Sequence, residues 1–110
     1  MARGHVMRGQ VYMADLSNNG SGQKPWLIVS NNHRNKALES VLAVRITTTQ
    51  KYLELDTVVE LPSGEPVMGY VRCDELTEVW LDELGKCQGA LSPATMSLVN
   101  AGLMAALAIE

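Results

Sequence analysis

An arginine and an aspartate two positions apart, Arg72 and Asp74, are the residues whose types and spacing point most clearly to chemistry in this chain. The stretch around them, residues 69–75, predicts a β-strand, and alternate side chains of a strand lie on one face of the sheet. We therefore expect both side chains on the same side. A cation that binds phosphate beside a carboxylate that accepts a proton is the minimum for metal-free cleavage of RNA. Taken alone, the pair is more typical of a surface ion pair.

The elements that must position this pair follow from the distribution of apolar and turn-forming residues. Runs rich in apolar and β-branched residues predict strands, and runs rich in Gly, Pro, Asn and Ser predict the turns between them. The predicted strands are residues 10–16, 26–29, 41–47, 55–61, 68–74 and 86–91, with helical turns at 31–35 and 81–84. Short strands at this spacing predict a mainly β fold, built as a small and strongly bent sheet or barrel.

The clearest boundary in the chain is Ser92-Pro93, an N-cap residue followed by the residue favoured at the first helical position. We predict a helix from there to about Ile109. Apart from Glu110 it carries no charged side chain, so we expect burial on most of its sides. Such a helix either lies across the barrel or contributes to a subunit interface.

Length and composition indicate a single domain over residues 1–110, large enough to bury a core without disulfide bonds or a structural metal. The two cysteines, Cys73 and Cys87, form no CxxC pair, and neither His5 nor His33 lies near them in sequence. We therefore expect reduced thiols, no metal site and no cofactor. The sequence contains no apolar run long enough to cross a bilayer and no signal-peptide core at its start, which favours the cytoplasm and no membrane contact.

The net charge of −3 argues weakly against nucleic acid as a partner, but the charges are divided unevenly. Residues 1–51 carry seven Lys or Arg and two acids, a balance of +5, whereas residues 52–110 carry two bases and ten acids, a balance of −8. Such asymmetry either builds a local basic surface on an acidic protein or leaves both halves simply solvated. The fold decides between the two, because it determines where the bases lie.

Five motifs occur in register along the chain: RGQVY at 8–12, GQKPWLIVSN at 22–31, VRITT at 44–48, VRCD at 71–74, and LGK at 84–86 followed by LSP at 91–93. In this order and spacing the chain resembles the MazF/PemK (Kid) family of toxin endoribonucleases from type II toxin–antitoxin systems. The resemblance covers about residues 8–109, nearly the whole chain. It also indicates Met7 as a natural start, with residues 1–6 dispensable.

The resemblance implies a fold, an activity and partners. The fold would be an SH3-like barrel of the CcdB/PemK plasmid-toxin type with a C-terminal helix, usually a homodimer. The activity would be cleavage of single-stranded RNA at short motifs without metal, in which the 2′-hydroxyl attacks the adjacent phosphate and leaves 2′,3′-cyclic phosphate and 5′-hydroxyl ends. Such cleavage would inhibit translation and growth. A toxin of this kind also implies a cognate antitoxin, whose acidic, hydrophobic tail would compete with RNA for one groove.

The resemblance further implies roles for particular residues. Asp74 matches the carboxylate that acts as base, and Arg72 matches its partner arginine. Thr47 matches the threonine whose hydroxyl touches the scissile phosphate. Because the family often has two polar residues here, we expect Thr48 and Thr49 to share in binding RNA.

Lys24 stands where many members of the family have an arginine. Lysine keeps the charge but lacks the bidentate fork of a guanidinium. Either Lys24 only attracts phosphate while Arg72 carries catalysis, which we favour, or Lys24 is the general acid. The resemblance implies that the loop containing Gln23 borders the RNA groove, so we expect Gln23 to contact RNA. Arg45 shares a strand face with Thr47 and either binds RNA or pairs with an acid.

Two other functions compete with the nuclease. A gyrase poison of the CcdB type shares the fold and inhibits by binding, but that branch ends in a tryptophan-containing tail, whereas residues 105–110 here contain no tryptophan. The other is a barrel that only binds a partner because its active site is degenerate at Lys24. RNA cleavage that is lost in an Asp74→Ala variant would separate the nuclease from both.

Overall fold

Six antiparallel strands curl into a half-barrel, and a C-terminal helix packs against it. The computed structural model describes residues 6–16 and 22–109. The strands are β1 Gln10–Ala14, β2 Lys24–Ile28, β3 Ser40–Thr47, β4 Val58–Glu60, β5 Tyr70–Trp80 and β6 Cys87–Ala90, and the helices are α1 Asn32–Ala37 and α2 Pro93–Leu107, with a 3-10 turn at Leu81–Glu83. The strand order in the sheet is β4-β5-β3-β2-β1-β6. The predicted mainly β fold with a C-terminal helix is confirmed.

The predicted bounds differ most at β4 and β5. The fourth strand was expected over residues 55–61, but β4 is only Val58–Glu60, because the preceding residues form turns closed by backbone hydrogen bonds such as Leu55 N–H to the Tyr52 carbonyl, 3.0 Å. The fifth strand was expected to end at residue 74, but β5 continues to Trp80, because the first half of β3 offers it partners. Strand length is thus decided by pairing with distant residues.

The pairing of β3 with β5 contains a break in register. Val44 pairs with Leu76, yet the next residue of β3, Arg45, pairs with Arg72. Residues 73–75 therefore have no counterpart on β3 and form a bulge. Bulges bend a strand and redirect its side chains, and they are common beside active sites.

The side chains still alternate where the bulge begins. Cys73 is 1% exposed and points into the core, whereas Asp74 is exposed. The Cys73 N–H donates a hydrogen bond to the carbonyl oxygen of Thr57, 2.9 Å away, so the bulged strand stays attached to the segment before β4.

The buried residues form two clusters, because alternate side chains of each strand point to opposite sides of the sheet. Val11 of β1 and Leu27 of β2 belong to the first cluster, together with Val99 of α2. Their sequence neighbours Tyr12 and Ile28 belong to the second. The core is thus divided by the curled sheet, and α2 covers one side of it.

The helix α2 begins where the sequence predicts. The Ser92 hydroxyl accepts a hydrogen bond from the Thr95 N–H at 3.3 Å, and Pro93 occupies the first turn. Its burial differs from expectation, since only Thr95, Val99 and Gly102 are buried. Its other faces carry exposed apolar residues, namely Leu98, Met104 and Leu107. Within the described residues, no helix combines the length and apolar character needed to cross a membrane.

The turn between β4 and β5 is attached to the start of α2 through Glu65. Its carboxylate accepts hydrogen bonds from the hydroxyl of Thr95 and from the N–H and hydroxyl of Ser92, the last two at 3.1 and 2.8 Å. The bond from Thr95 is the main reason that the pKa of Glu65 lies below its ordinary value. A negative charge is favourable at a helix N-terminus, so the attachment stabilises both elements.

Gly102 is the point where α2 comes closest to the β5 bulge. A Cβ placed there would lie 2.7 Å from Cys73 Sγ and 3.4 Å from Val59 Cγ2. We expect Gly102→Ala to lower the free energy of unfolding by about 1–2 kcal/mol, because the overpacking exceeds the gain in helix propensity. Urea-induced unfolding measures the change.

The double variant Gly102→Ala with Cys73→Ala separates this clash from other effects. Removing the sulfur gives the new methyl group room, so the substitution at Gly102 should cost less in the Cys73→Ala background than in the wild type. Equal costs in both backgrounds would contradict the close contact.

Candidate active site

A pocket of about 250 Å³ opens where β3 ends and β5 begins. We name it the basic pocket, and it is lined by Arg45, Thr47, Thr49, Lys51, Tyr52, Arg72 and Glu75. Three bases face one acid, which gives the lining a formal charge of +2 on a chain whose net charge is −3. The uneven charge distribution of the sequence therefore does build a local basic surface.

The end of β3 supplies one wall of the basic pocket by strand alternation. Thr47 and Thr49 line it, whereas Thr48 lies in a neighbouring pocket of about 520 Å³. The Thr47 hydroxyl oxygen accepts a hydrogen bond from the Thr49 N–H at 3.1 Å. Because a hydroxyl also carries one proton to donate, Thr47 can still offer it to a phosphate oxygen.

The close approach of Gly69 to β3 brings β5 to the pocket. A Cβ at Gly69 would lie 2.5 Å from the carbonyl oxygen of Thr47, and the residue has φ +129°. Only glycine fits this spacing and this backbone conformation. Its neighbour Tyr70 can therefore pair with Thr47, and Arg72 follows two residues later on the pocket side.

Arg72 and Asp74 form a bidentate ion pair. Arg72 Nε donates to Asp74 Oδ1 at 3.1 Å, and Nη2 donates to Oδ2 at 3.0 Å. The expected placement of both side chains on one side is confirmed. The hydrogen bonds from Arg72 hold the pKa of Asp74 below its ordinary value, and the same bonds raise the pKa of Arg72. The carboxylate is therefore ionised at neutral pH.

The ion pair lies at the boundary between two concave surfaces. Arg72 lines the basic pocket, whereas Asp74 lines a recess of about 480 Å³ that it shares with Glu54, Asp56 and the α2 residues Ala105 and Ala106. A phosphate in the basic pocket would meet the guanidinium, and a proton donor between the surfaces would meet the carboxylate.

Arg45 lies directly opposite Arg72 across the β3–β5 pairing. Its Nε is buried and has no hydrogen-bond partner within residues 6–16 and 22–109, and no acid of that part of the chain forms a salt bridge with it. Like charges facing each other across strands are destabilising. An anion bound between the two arginines would relieve that repulsion. This gives a physical reason to expect contact between Arg45 and RNA, which stays a prediction.

Lys24 and Gln23 do not line the basic pocket. Lys24 begins β2 opposite Ala14 of β1, and the side-chain amide of Gln23 lies beside Gly85, where an added Cβ would be 3.2 Å from its nitrogen. Their predicted roles therefore stay predictions. Of the two cations, Arg72 lines the basic pocket and Lys24 does not.

Three residues of the basic pocket were not among the residues predicted from the sequence. Lys51 could have been predicted, because it continues the two-residue alternation that places Thr47 and Thr49 on one face. Glu75 reaches the pocket because of the bulge, and Tyr52 reaches it through a left-handed backbone conformation with φ +59°. The sequence carries no signal for either of these two irregularities. Among the described residues, no group of His, Cys, Asp or Glu is arranged to hold a metal ion.

Solved structures of toxins share this architecture. An endoribonuclease from a mycobacterial species, in complex with its cognate antitoxin, matches with a TM-score of 0.87 and 45% identity over 96% of this chain and 97% of that one. A MazE–MazF structure from Deinococcus radiodurans matches with a TM-score of 0.78 and 18% identity over 96% and 97% of the two chains, which shows the fold alone. The expected barrel fold of the plasmid-toxin class is confirmed.

Sequence comparison then identifies the family. The family model described as PemK-like, MazF-like toxin of type II toxin–antitoxin system matches residues 7–107. Endoribonuclease MazF4 of Mycobacterium tuberculosis and endoribonuclease MazF1 of Mycobacterium bovis are each 46% identical over 103 residues, which cover 94% of this chain and 93% of each relative. This chain therefore belongs to the PemK/MazF family of type II toxin–antitoxin toxins, and the resemblance in its motifs is confirmed.

The ion pair predicts how Asp74 titrates. We expect Arg72→Gln to raise the pKa of Asp74 toward its ordinary value, because the hydrogen bonds that lower it are lost. The pH dependence of the ¹³C NMR shift of the Asp74 carboxyl carbon measures this. The pair's contribution to stability should be complete above the unfolded-state pKa and lost as the pH falls through the lower folded-state pKa.

Lys36→Gln is the matched control, because it removes an exposed cation from α1. It should leave the titration of Asp74 unchanged. An Asp74 pKa that is the same in Arg72→Gln as in the wild type would contradict the bidentate contact.

Proposed function

We propose that this protein is a toxin endoribonuclease that cuts single-stranded RNA at short sequence motifs without a metal ion. The observation that carries the proposal is the basic pocket, where Thr47 and Arg72 converge while Asp74 binds the same guanidinium. The family supports it, because relatives at 46% identity are named endoribonucleases. Cleavage of cellular RNA would inhibit translation and growth.

The proposed reaction begins with proton transfer to Asp74. Its carboxylate takes the proton of the 2′-hydroxyl, and the 2′ oxygen forms a bond to the adjacent phosphorus. Each carboxylate oxygen has two lone pairs, so Asp74 can accept this proton while it still binds Arg72. Its lowered pKa keeps it ionised and ready at neutral pH.

The bond from phosphorus to the 5′ oxygen then breaks, leaving a 2′,3′-cyclic phosphate and a 5′-hydroxyl. Arg72 stabilises the charge that develops on the phosphorane, and Thr47 donates a hydrogen bond to a phosphate oxygen. The raised pKa of Arg72 suits charge stabilisation rather than proton donation. The leaving oxygen therefore takes its proton from Lys24 or from water. Arg45, Thr49, Thr48 and Gln23 would contact the flanking RNA.

The proposal extends to protein partners. A relative at 45% identity was solved with its cognate antitoxin, so we infer a cognate antitoxin for this chain. We also infer a homodimer, because α2 exposes the apolar side chains of Leu98, Met104 and Leu107, and exposed apolar surface is typical of interfaces.

The extent and location of the protein follow the same reasoning. We propose one toxin domain over residues 1–110, with a core from about residue 8 to residue 109. Val6 is 3% exposed and packs in the second core cluster, so removing it would cost that contact. Cellular RNA is cut in the cytoplasm, which is where we place the protein.

Cleavage in the absence of metal is the first test. Purified protein incubated with mixed-sequence single-stranded RNA in excess EDTA should give cyclic phosphate and 5′-hydroxyl ends at one short motif. Asp74→Asn and Arg72→Lys should each lower the rate by about 10²- to 10⁴-fold. The first removes the base, and the second removes the guanidinium that can contact phosphate through two nitrogens. Mapping product ends and single-turnover rates measures both effects.

Lys36→Ala controls for a general loss of positive charge and should keep the wild-type rate. Lys24→Ala should lose less activity than Arg72→Lys, because Lys24 lies outside the basic pocket. Intact RNA from folded, antitoxin-free protein would contradict the nuclease and favour a barrel that only binds. The gyrase-poison alternative has less support, since the matching family model describes PemK-like and MazF-like toxins.

Antitoxin and RNA should compete for the basic pocket. An acidic antitoxin segment would be attracted to Arg45, Lys51 and Arg72, the bases that would also bind phosphate. We expect RNA binding, measured by fluorescence anisotropy, to weaken in proportion to added antitoxin. Cleavage at the free-toxin rate by a saturated toxin–antitoxin complex would contradict a shared site.

A further inference from the structure

We propose that Tyr52 is a positioning residue of the basic pocket, whose aromatic ring holds the guanidinium of Arg72 in the orientation that binds Asp74 and faces the phosphate. The inference rests on the proposed nuclease function for its catalytic consequence. The proposed effect of Tyr52 on Arg72 and Asp74 rests on the contacts of Arg72 with the other two side chains, and it can be measured without RNA.

The first observation is the geometry around the guanidinium. The Arg72 Cζ atom lies 5.3 Å from the centroid of the Tyr52 ring, within the distance of about 6 Å at which a cation–π contact is favourable. Two nitrogens of Arg72, Nε and Nη2, are engaged by Asp74. Asp74 therefore constrains the group within its plane, and the ring constrains it from one face. No described residue accepts a hydrogen bond from the remaining nitrogen, Nη1, which is therefore available to a ligand.

The second observation is the backbone of Tyr52. It has φ +59°, a left-handed conformation that is uncommon for any residue except Gly, Asn and Asp. Its carbonyl accepts a hydrogen bond from the N–H of Leu55 at 3.0 Å, which keeps the turn in this shape. Residues held in such conformations concentrate at functional sites, where the surrounding structure maintains them. Here the conformation belongs to the residue whose ring lies against the guanidinium of Arg72.

The third observation is that core packing does not explain the ring. Tyr52 is 52% exposed, in contrast to Tyr12, which is 4% exposed and packs in a core cluster. A tyrosine that buries so little surface contributes little to the hydrophobic core. Its contact with Arg72 is the interaction that the unusual backbone conformation secures.

Loss of the ring would change the surroundings of Asp74. The charged groups around Asp74 are its hydrogen-bond partner Arg72, its sequence neighbour Glu75, and the residues Glu54 and Asp56 of the shared recess. Only Arg72 among these is positive. When Arg72 is free to rotate away, Asp74 loses the hydrogen bonds that lower its pKa. Its pKa then rises, and the acid limb of the pH–rate profile moves to higher pH.

Three substitutions at Tyr52 test the proposal. Tyr52→Phe keeps the ring, Tyr52→Leu removes it, and Tyr52→Asn removes it while tolerating the left-handed conformation. Leu and Asn should raise the pKa of Asp74 in a ¹³C NMR titration, whereas Phe should retain the wild-type value. In single-turnover cleavage, Leu and Asn should lower the rate by about two- to thirtyfold, the rate equivalent of a cation–π contact, with the Kd for RNA little changed.

Leu53→Ala is the control from the same turn, because Leu53 is exposed and lines none of the basic pocket. It should leave both the titration and the rate unchanged. A wild-type titration of Asp74 in Tyr52→Leu and Tyr52→Asn overturns the proposal, as does a loss in Tyr52→Phe equal to that in Tyr52→Leu. A weaker Kd with an unchanged rate also overturns it and assigns the ring to base stacking. A shifted titration in protein whose wild type cuts no RNA supports the positioning role and rejects the nuclease function.

Discussion

The break in register between β3 and β5 is the constraint on which the site and the attachment of α2 both depend. It leaves residues 73–75 without partners on β3, at the point where one side chain enters the core and the next turns outward. The inward residue, Cys73, occupies the space that α2 leaves at Gly102. The outward residue, Asp74, meets the guanidinium of Arg72. One local irregularity thus joins the packing of the helix to the geometry of the ion pair.

The basic pocket concentrates positive charge that the protein as a whole does not have. Arg45 and Arg72 face each other across two strands, an arrangement that is unfavourable unless a counter-charge is present. Asp74 supplies that counter-charge to one of the two, and the buried Nε of Arg45 has no partner among the described residues. Within the described part of the chain, Arg72 is thus paired and the Nε of Arg45 is not. A phosphate is the kind of ligand that would supply the missing partner.

The sequence predicts the parts of this arrangement that depend on local periodicity. Alternation over two residues places Arg72 beside Asp74, and the Ser92-Pro93 signal marks the start of α2. The sequence does not predict the bulge, because it arises from pairing with residues about thirty positions away, nor the left-handed conformation of Tyr52, which carries no compositional signal. The absence of charged residues in α2 predicts that the helix has an apolar surface, but it does not predict which part of the protein or which partner buries that surface.

The helix α2 carries both the exposed apolar side chains and residues that lie beside the candidate active site. Gly102 packs against Cys73 below the bulge, and Ala105 and Ala106 line the recess that contains Asp74. The exposed Leu98 and Leu107 belong to the same helix. The helix α2 therefore forms part of the wall beside Asp74 and also carries apolar side chains that no described residue covers.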